Sequence, residues 1–99
     1  MIVHVTRHGK ERIGERCGLR KRAVQRLADS AFSRGKRIYD FSGSFRRYLE
    51  EIYLTQGNAN NLRVYSEKCW LFADSTLITV WHLPNEYKSA ANRAKKEAA

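Results

Sequence analysis

Little in this chain could cross-link it, break it or anchor it in a bilayer. It has two widely separated cysteines, Cys17 and Cys69, and a single proline, Pro84. No secretory leader precedes the cysteines, so a disulfide scaffold is not expected and a reducing, cytoplasmic setting is. No apolar run approaches the ~18–20 residues of a membrane helix, so no membrane contact is expected. His4, His8, Cys17, Cys69 and His82 include no C-x2-C pair, so neither zinc nor any other metal or cofactor is expected. The scarcest feature is negative charge in the first half. Residues 1–50 hold 13 basic and 5 acidic side chains, a balance of +8, whereas residues 51–99 hold 6 and 5, a balance of +1.

What is present fits one small globular domain: 99 residues, 42% apolar and 11% aromatic, enough for a single core. Arginine outnumbers lysine among the early cations, and its planar fork matches a phosphate better than the point charge of lysine does. A polyanion partner is expected, most simply RNA or another nucleic acid. The plain alternative is a solvated basic surface.

The stretch "IVHVT" (2–6) alternates apolar and polar and predicts a first strand. Thr6 then caps a helix from Arg7 that Gly18 ends. Leu19, Ala23, Val24, Leu27, Ala31 and Phe32 follow helical spacing and predict a second helix to Arg34, stopped by Gly35. "KRIYDFSG" (36–43) reads as irregular. Phe45, Tyr48, Leu49, Ile52 and Tyr53 predict a short third helix, which "GNANN" breaks. "LRVYS" (62–66), "CWLFA" (69–73) and "TLITVWHL" (76–83) predict an antiparallel three-stranded meander with tight turns at Glu67-Lys68 and Asp74-Ser75, ended by Pro84.

The expected architecture is α+β: a strand, two to three helices, then the meander, with the helices on one sheet face and the first strand joined to the sheet. Residues 1–84 form the domain, and 85–99 form a flexible or helical basic tail with too narrow an apolar stripe to pack. Ile13, Leu27, Leu49, Val64, Leu71, Ile78 and Val80 are the expected core, joined by Tyr48, Tyr53, Trp70 and Trp81.

On the first helix His8, Arg12 and Arg16 fall four residues apart and so share one ridge. The next ridge holds Gly9, Ile13 and Cys17, which puts the His/Arg row at the margin of the buried face, where desolvation strengthens charge-assisted bonds to phosphate. Equally open is the plainer view that Arg7–Glu11 and Arg12–Glu15 are ordinary surface ion pairs.

H-x3-R-x3-R-x-G-L after a first strand, a basic second helix and a closing "RVY…WLF…TLITVWHLP" together resemble small bacterial and phage proteins of the barnase–EndoU–colicin–RelE ribonuclease-like superfamily, over residues 2–84. The resemblance implies a RelE-type order of elements. It also implies an RNA cleft lined by helix-borne histidine or basic residues and an alcohol or aromatic on the sheet. Carried over by position, these are His8, Arg12, Arg16 and Thr79. An antitoxin-like protein partner belongs to the same implication.

Metal-free RNA cleavage uses the 2′-hydroxyl as nucleophile and needs a base, an acid and cations around the phosphorane. Histidine serves for proton transfer and arginine for charge. His8, Arg12 and Arg16 supply all but a second proton carrier, for which Tyr65, Thr79 or His4 are candidates. Lys21, Arg22 and Arg26 on the second helix and Arg46 and Arg47 on the third are candidate phosphate contacts. Tyr65, alternating outward with Arg63, is the candidate for base stacking. The expected function is RNA binding with metal-independent ribonuclease action, toxin-like in type. The alternative is a non-catalytic phage or bacterial adaptor or inhibitor gripping nucleic acid or an acidic protein through the same basic cleft. A DNA-binding regulator ranks last, because Gly18 leaves almost no turn between the helices.

Overall fold

A computed structural model describes residues 2–98, with side chains described for residues 2–92. Helix α1 spans Arg7–Cys17 and α2 Lys21–Arg34; a single 3-10 turn, Ile38–Asp40, leads to α3, Gly43–Thr55. Strands β1 (Asn61–Tyr65), β2 (Lys68–Ala73) and β3 (Thr76–His82) follow, and α4 (Asn85–Ala98) closes the chain. The fold is α+β, with a three-stranded antiparallel sheet in the order β1-β2-β3 after the first three helices.

The first strand expected of a RelE-type order is reduced to one parallel bridge. His4 N donates to Ser75 O at 2.8 Å and Leu77 N donates to His4 O at 2.9 Å, after which the chain turns into α1. Two side-chain bonds fix this segment to α2, and a third, within α2, ties the two side chains together. Val3 N donates to Asp29 Oδ1 at 2.8 Å, and Gln25 Nε2 donates to Val3 O at 2.9 Å and to Asp29 at 3.1 Å. At the opposite edge Lys36 pairs with Val64, two backbone bonds of 2.9 and 2.7 Å. Short flanking segments thus cover part of each exposed edge, where unpaired backbone groups invite aggregation.

Helices lie on both faces of the sheet, not on one. The reason is in β2, whose Cys69, Trp70, Leu71 and Phe72 are all fully buried. An unbroken apolar run needs cover on both sides. Trp70 and Phe72 join Val3, Val5, Ile13, Val24, Ala28, Ala31, Leu77 and Val80 under α1 and α2. Cys69 and Leu71 join Phe41, Phe45, Leu49, Leu62, Val64 and Leu83 under α3 and α4. The expected core therefore divides: Ile13 and Val80 lie on the first face, and Leu49, Val64 and Leu71 on the second. Leu27 and Ile78 are only half-buried.

The second face is aromatic. Phe41 meets Phe45 edge-on at 4.8 Å, and Tyr87 of α4 stacks on Phe45 at 5.2 Å and leans on Tyr48 at 4.8 Å. Residues 85–98 are helical, as one form of the expected tail would be, but with Tyr87, Ala90 and Ala91 packed on this cluster the helix docks where too narrow an apolar stripe was expected. Burial raises the pKa of two groups here, the Tyr48 hydroxyl and, far more strongly, the Cys69 thiol.

Three local readings shift. The first hairpin turns at Ser66-Glu67, one residue earlier than expected. Both residues adopt positive φ, 51° and 58°, as a two-residue primed turn demands. Arg63 and Tyr65, expected to face outward, point inward against α2, because that helix covers the sheet face they share with Trp70. Arg63 is 8% exposed, 6.0 Å above the Phe32 ring, and donates to Gly35 O at 3.2 Å and Asn61 Oδ1 at 3.1 Å. Burial, then repulsion from Arg37, holds its pKa below the ordinary arginine value. Only glycine fits at 35, since an added Cβ would stand 2.5 Å from Ala31 O and 2.7 Å from the Arg63 Cβ. Trp81, expected in the core, is 42% exposed: it belongs to β3, which has a strand neighbour on one side only.

Candidate functional site

Helix α1 starts where the Thr6 hydroxyl accepts the Gly9 amide at 3.0 Å, and it ends at Gly18, whose φ of 66° lets its N–H reach Gly14 O. Gly14 lets the α1–α2 connection pass close by, because a Cβ there would meet Leu19 O at 2.6 Å. With Ile13 and Gly14 as its buried contacts, α1 stands between α2 on one side and β3 on the other.

On the β3 side His8, Arg12, Arg16 and Thr79 converge on one groove, with a cavity of about 300 Å³. Its sheet wall is Ile78 and Thr79, at an irregularity in register. Leu71 pairs with Thr79 but Phe72 with Leu77, so Ile78 is an extra, bulged residue. Bulges are over-represented beside functional sites, where they re-aim side chains. Arg16 is anchored, its Nη1 donating to Val80 O at 3.3 Å. All three side chains of the row are exposed and Thr79 is half-buried, so the row is wetter than a position at the buried margin suggests. The ion pairs of the plainer alternative, Arg7–Glu11 and Arg12–Glu15, do not form. Among the described residues, the pairs are Glu11–Lys21 at 3.1 Å and Arg46–Glu50 at 3.6 Å. The hydrogen bond from Lys21 and its charge hold the Glu11 carboxyl below its ordinary pKa. Neither His8 nor Arg12 is hydrogen-bonded through its side chain or ion-paired among the described residues.

On the α2 side of α1 lies a larger open groove, about 780 Å³, lined by Arg7, Lys10, Lys21, Arg22 and Arg26 with one carboxylate, Asp29. Lys21, Arg22 and Arg26 are the expected phosphate contacts. Arg7 and Lys10 were missed, although their three-residue spacing next to Gly14 is the sequence signal of the α1 ridge that faces α2. Arg46 and Arg47 are exposed on α3 and line neither groove. Tyr65 lies apart from both, lining a narrower cavity of about 190 Å³ with Arg34, Lys36, Ser66, Glu67 and Asn92. His4 is spent on the sheet edge through its backbone, and His82 is exposed at the end of β3.

One imidazole, two guanidiniums and a hydroxyl around one cavity can hold a phosphate and move a proton beside it. Compared with protein-family profiles, with curated protein sequences and with solved structures, the chain matches none.

Proposed function

We propose that the protein binds RNA across its α1–α2 face and cleaves it, without a metal, in the groove between α1 and β3. The convergence of His8, Arg12, Arg16 and Thr79 on one cavity carries this reading, and the five-cation groove on the other side of the same helix supports it. It agrees with the resemblance to the barnase–EndoU–colicin–RelE ribonuclease-like superfamily.

The chemistry is transfer of the phosphoryl group to the neighbouring 2′-oxygen. His8 takes the 2′-hydroxyl proton as that oxygen bonds to phosphorus. The bond from phosphorus to the 5′-oxygen breaks, and the leaving oxygen takes its proton from water in the open groove, while the imidazolium gives its own proton back to solvent. The products are a 2′,3′-cyclic phosphate and a 5′-hydroxyl. Histidine suits the base step because its ordinary pKa lies near neutrality. Arg12 and Arg16 neutralise the non-bridging oxygens, and the tie from Arg16 to Val80 O holds one guanidinium in place before substrate arrives. Thr79 donates a further hydrogen bond.

Incubating the purified protein with RNA and excess EDTA tests this. Cleavage yielding cyclic phosphate ends is expected from wild type and is lost in His8→Ala, which keeps its fold and most of its RNA affinity. Arg12→Ala weakens both binding and cleavage. RNA that is bound but left intact by wild type favours the non-catalytic binder instead.

A further inference from the structure

The α2 surface carries a row that neither groove accounts for on its own. Arg22, Arg26, Ser30 and Arg34 recur every fourth residue, and all but the half-buried Ser30 are exposed. Each four-residue step turns the helix about 40° past a full revolution, so the row winds roughly 120° round α2 over about 18 Å. It begins in the α1–α2 groove, which Arg22, Arg26 and Ser30 line, and ends at the cavity that Arg34 and Lys36 share with Tyr65.

Resting on the RNA reading above, we infer that this row is a track for a single strand and that the Tyr65 cavity takes one unstacked base at its end. Two features of the cavity favour a base over a phosphate. An aromatic ring forms part of the wall, and Glu67 brings a carboxylate whose Oε2 is held by Asn92 Nδ2 at 2.9 Å. A carboxylate repels phosphate but accepts hydrogen bonds from the N–H groups of a base. Arg34 and Lys36 meet the phosphates that flank it. A cavity of about 190 Å³ admits one base with its sugar and not a base pair, which makes the ligand single-stranded, as sequence-tolerant stacking sites usually are. At ~3.4 Å per phosphate in a fully stacked strand, and more once the strand is extended, the track spans at most about five nucleotides.

The test is fluorescence anisotropy with 2′-O-methyl oligoribonucleotides, which lack the attacking hydroxyl. Oligomers of roughly two and eight nucleotides fall below and above the span of the track. Wild type is expected to bind the longer oligomer much more tightly. Tyr65→Leu, which keeps an apolar side chain against α2, lowers that affinity about tenfold or more and leaves the short oligomer unaffected; Tyr65→Phe restores it. Ser30→Glu, which puts a like charge in mid-track, also weakens only the longer one. Unchanged binding of the longer oligomer in both Tyr65→Leu and Ser30→Glu overturns the track while leaving the RNA reading standing. Failure of wild type to bind either length overturns both.

Discussion

The two faces of the sheet are built from the same strands and used differently. Under α3 and α4 the buried contacts are aromatic, with Phe41, Phe45, Tyr48 and Tyr87 in edge-on, stacked and tilted pairs. Under α1 and α2 the core is mainly aliphatic around Trp70 and Phe72, with one edge-on pair, Phe32–Phe72 at 5.1 Å, and the helices carry cations with few carboxylate partners. Aromatic pairs add roughly 0.5–1.5 kcal/mol each beyond the area they bury. The second face can therefore brace the sheet with two short helices. The first face gains nothing from the mutual repulsion of Arg7, Lys10, Lys21, Arg22 and Arg26. Like charge crowded along one helix pair, with only Lys21 of the five ion-paired among the described residues, makes sense where an anion is to be bound.

The largest expected effect comes from removing the anchor of the first face. Trp70→Ala, which empties a fully buried site and removes the indole N–H that donates to the Tyr65 carbonyl at 2.9 Å, should cost about 3–5 kcal/mol in chemical denaturation. Leu49→Ala on the second face should cost about 2–5 kcal/mol. Leu27→Ala, being only half-buried, should cost less than Leu49→Ala. If Leu27 proved the costlier of the two, the division of the core would be misplaced.

Alkaline titration sharpens the contrast next. Burial raises the Cys69 thiol well above its ordinary 9.0. The unfolded chain then loses its proton first, so stability present below pH 9 falls as pH rises, by up to about 1.4 kcal/mol per unit. Cys69→Ala should flatten the denaturation midpoint between pH 9 and 10. Tyr48, raised from 10.0 chiefly by its burial, adds a decline of the same sign above pH 10. The smallest effect belongs to the exposed Glu11–Lys21 pair. Glu11→Gln should leave stability nearly unchanged, as exposed ion pairs do when removed, with at most a slight shift in thermal midpoint.

Much of this contrast was legible in the chain. The +8 balance of the first half marked the charged face, and four-residue spacing put His8, Arg12 and Arg16 on one ridge. "CWLFA" also held the signal for a sheet covered twice, since an unbroken apolar strand cannot leave a face in water. It was read only as a strand, and the helices were assigned to one side. Other features depend on contacts that no local pattern encodes. The notion that Tyr65 faces outward fails because α1 and α2 cover the sheet face it shares with Trp70, and that second layer is set by tertiary packing. The Ile78 bulge, which shapes the sheet wall of the groove, has no signature in "TLITVWHL". The exposure of Trp81 follows from the place of β3 at the sheet edge, a fact of topology.

Two charge reversals of equal size on opposite faces test the central claim most directly. Arg22→Glu/Arg26→Glu and Arg46→Glu/Arg47→Glu change the net charge identically, so any effect of overall charge is common to both. RNA affinity is measured against salt concentration for each. The first pair should weaken binding at least tenfold and flatten the log–log salt slope by about two units, while the second stays within about threefold of wild type. Equal losses from the two pairs, or a larger loss from the α3 pair, would contradict an RNA-binding face built on α1 and α2.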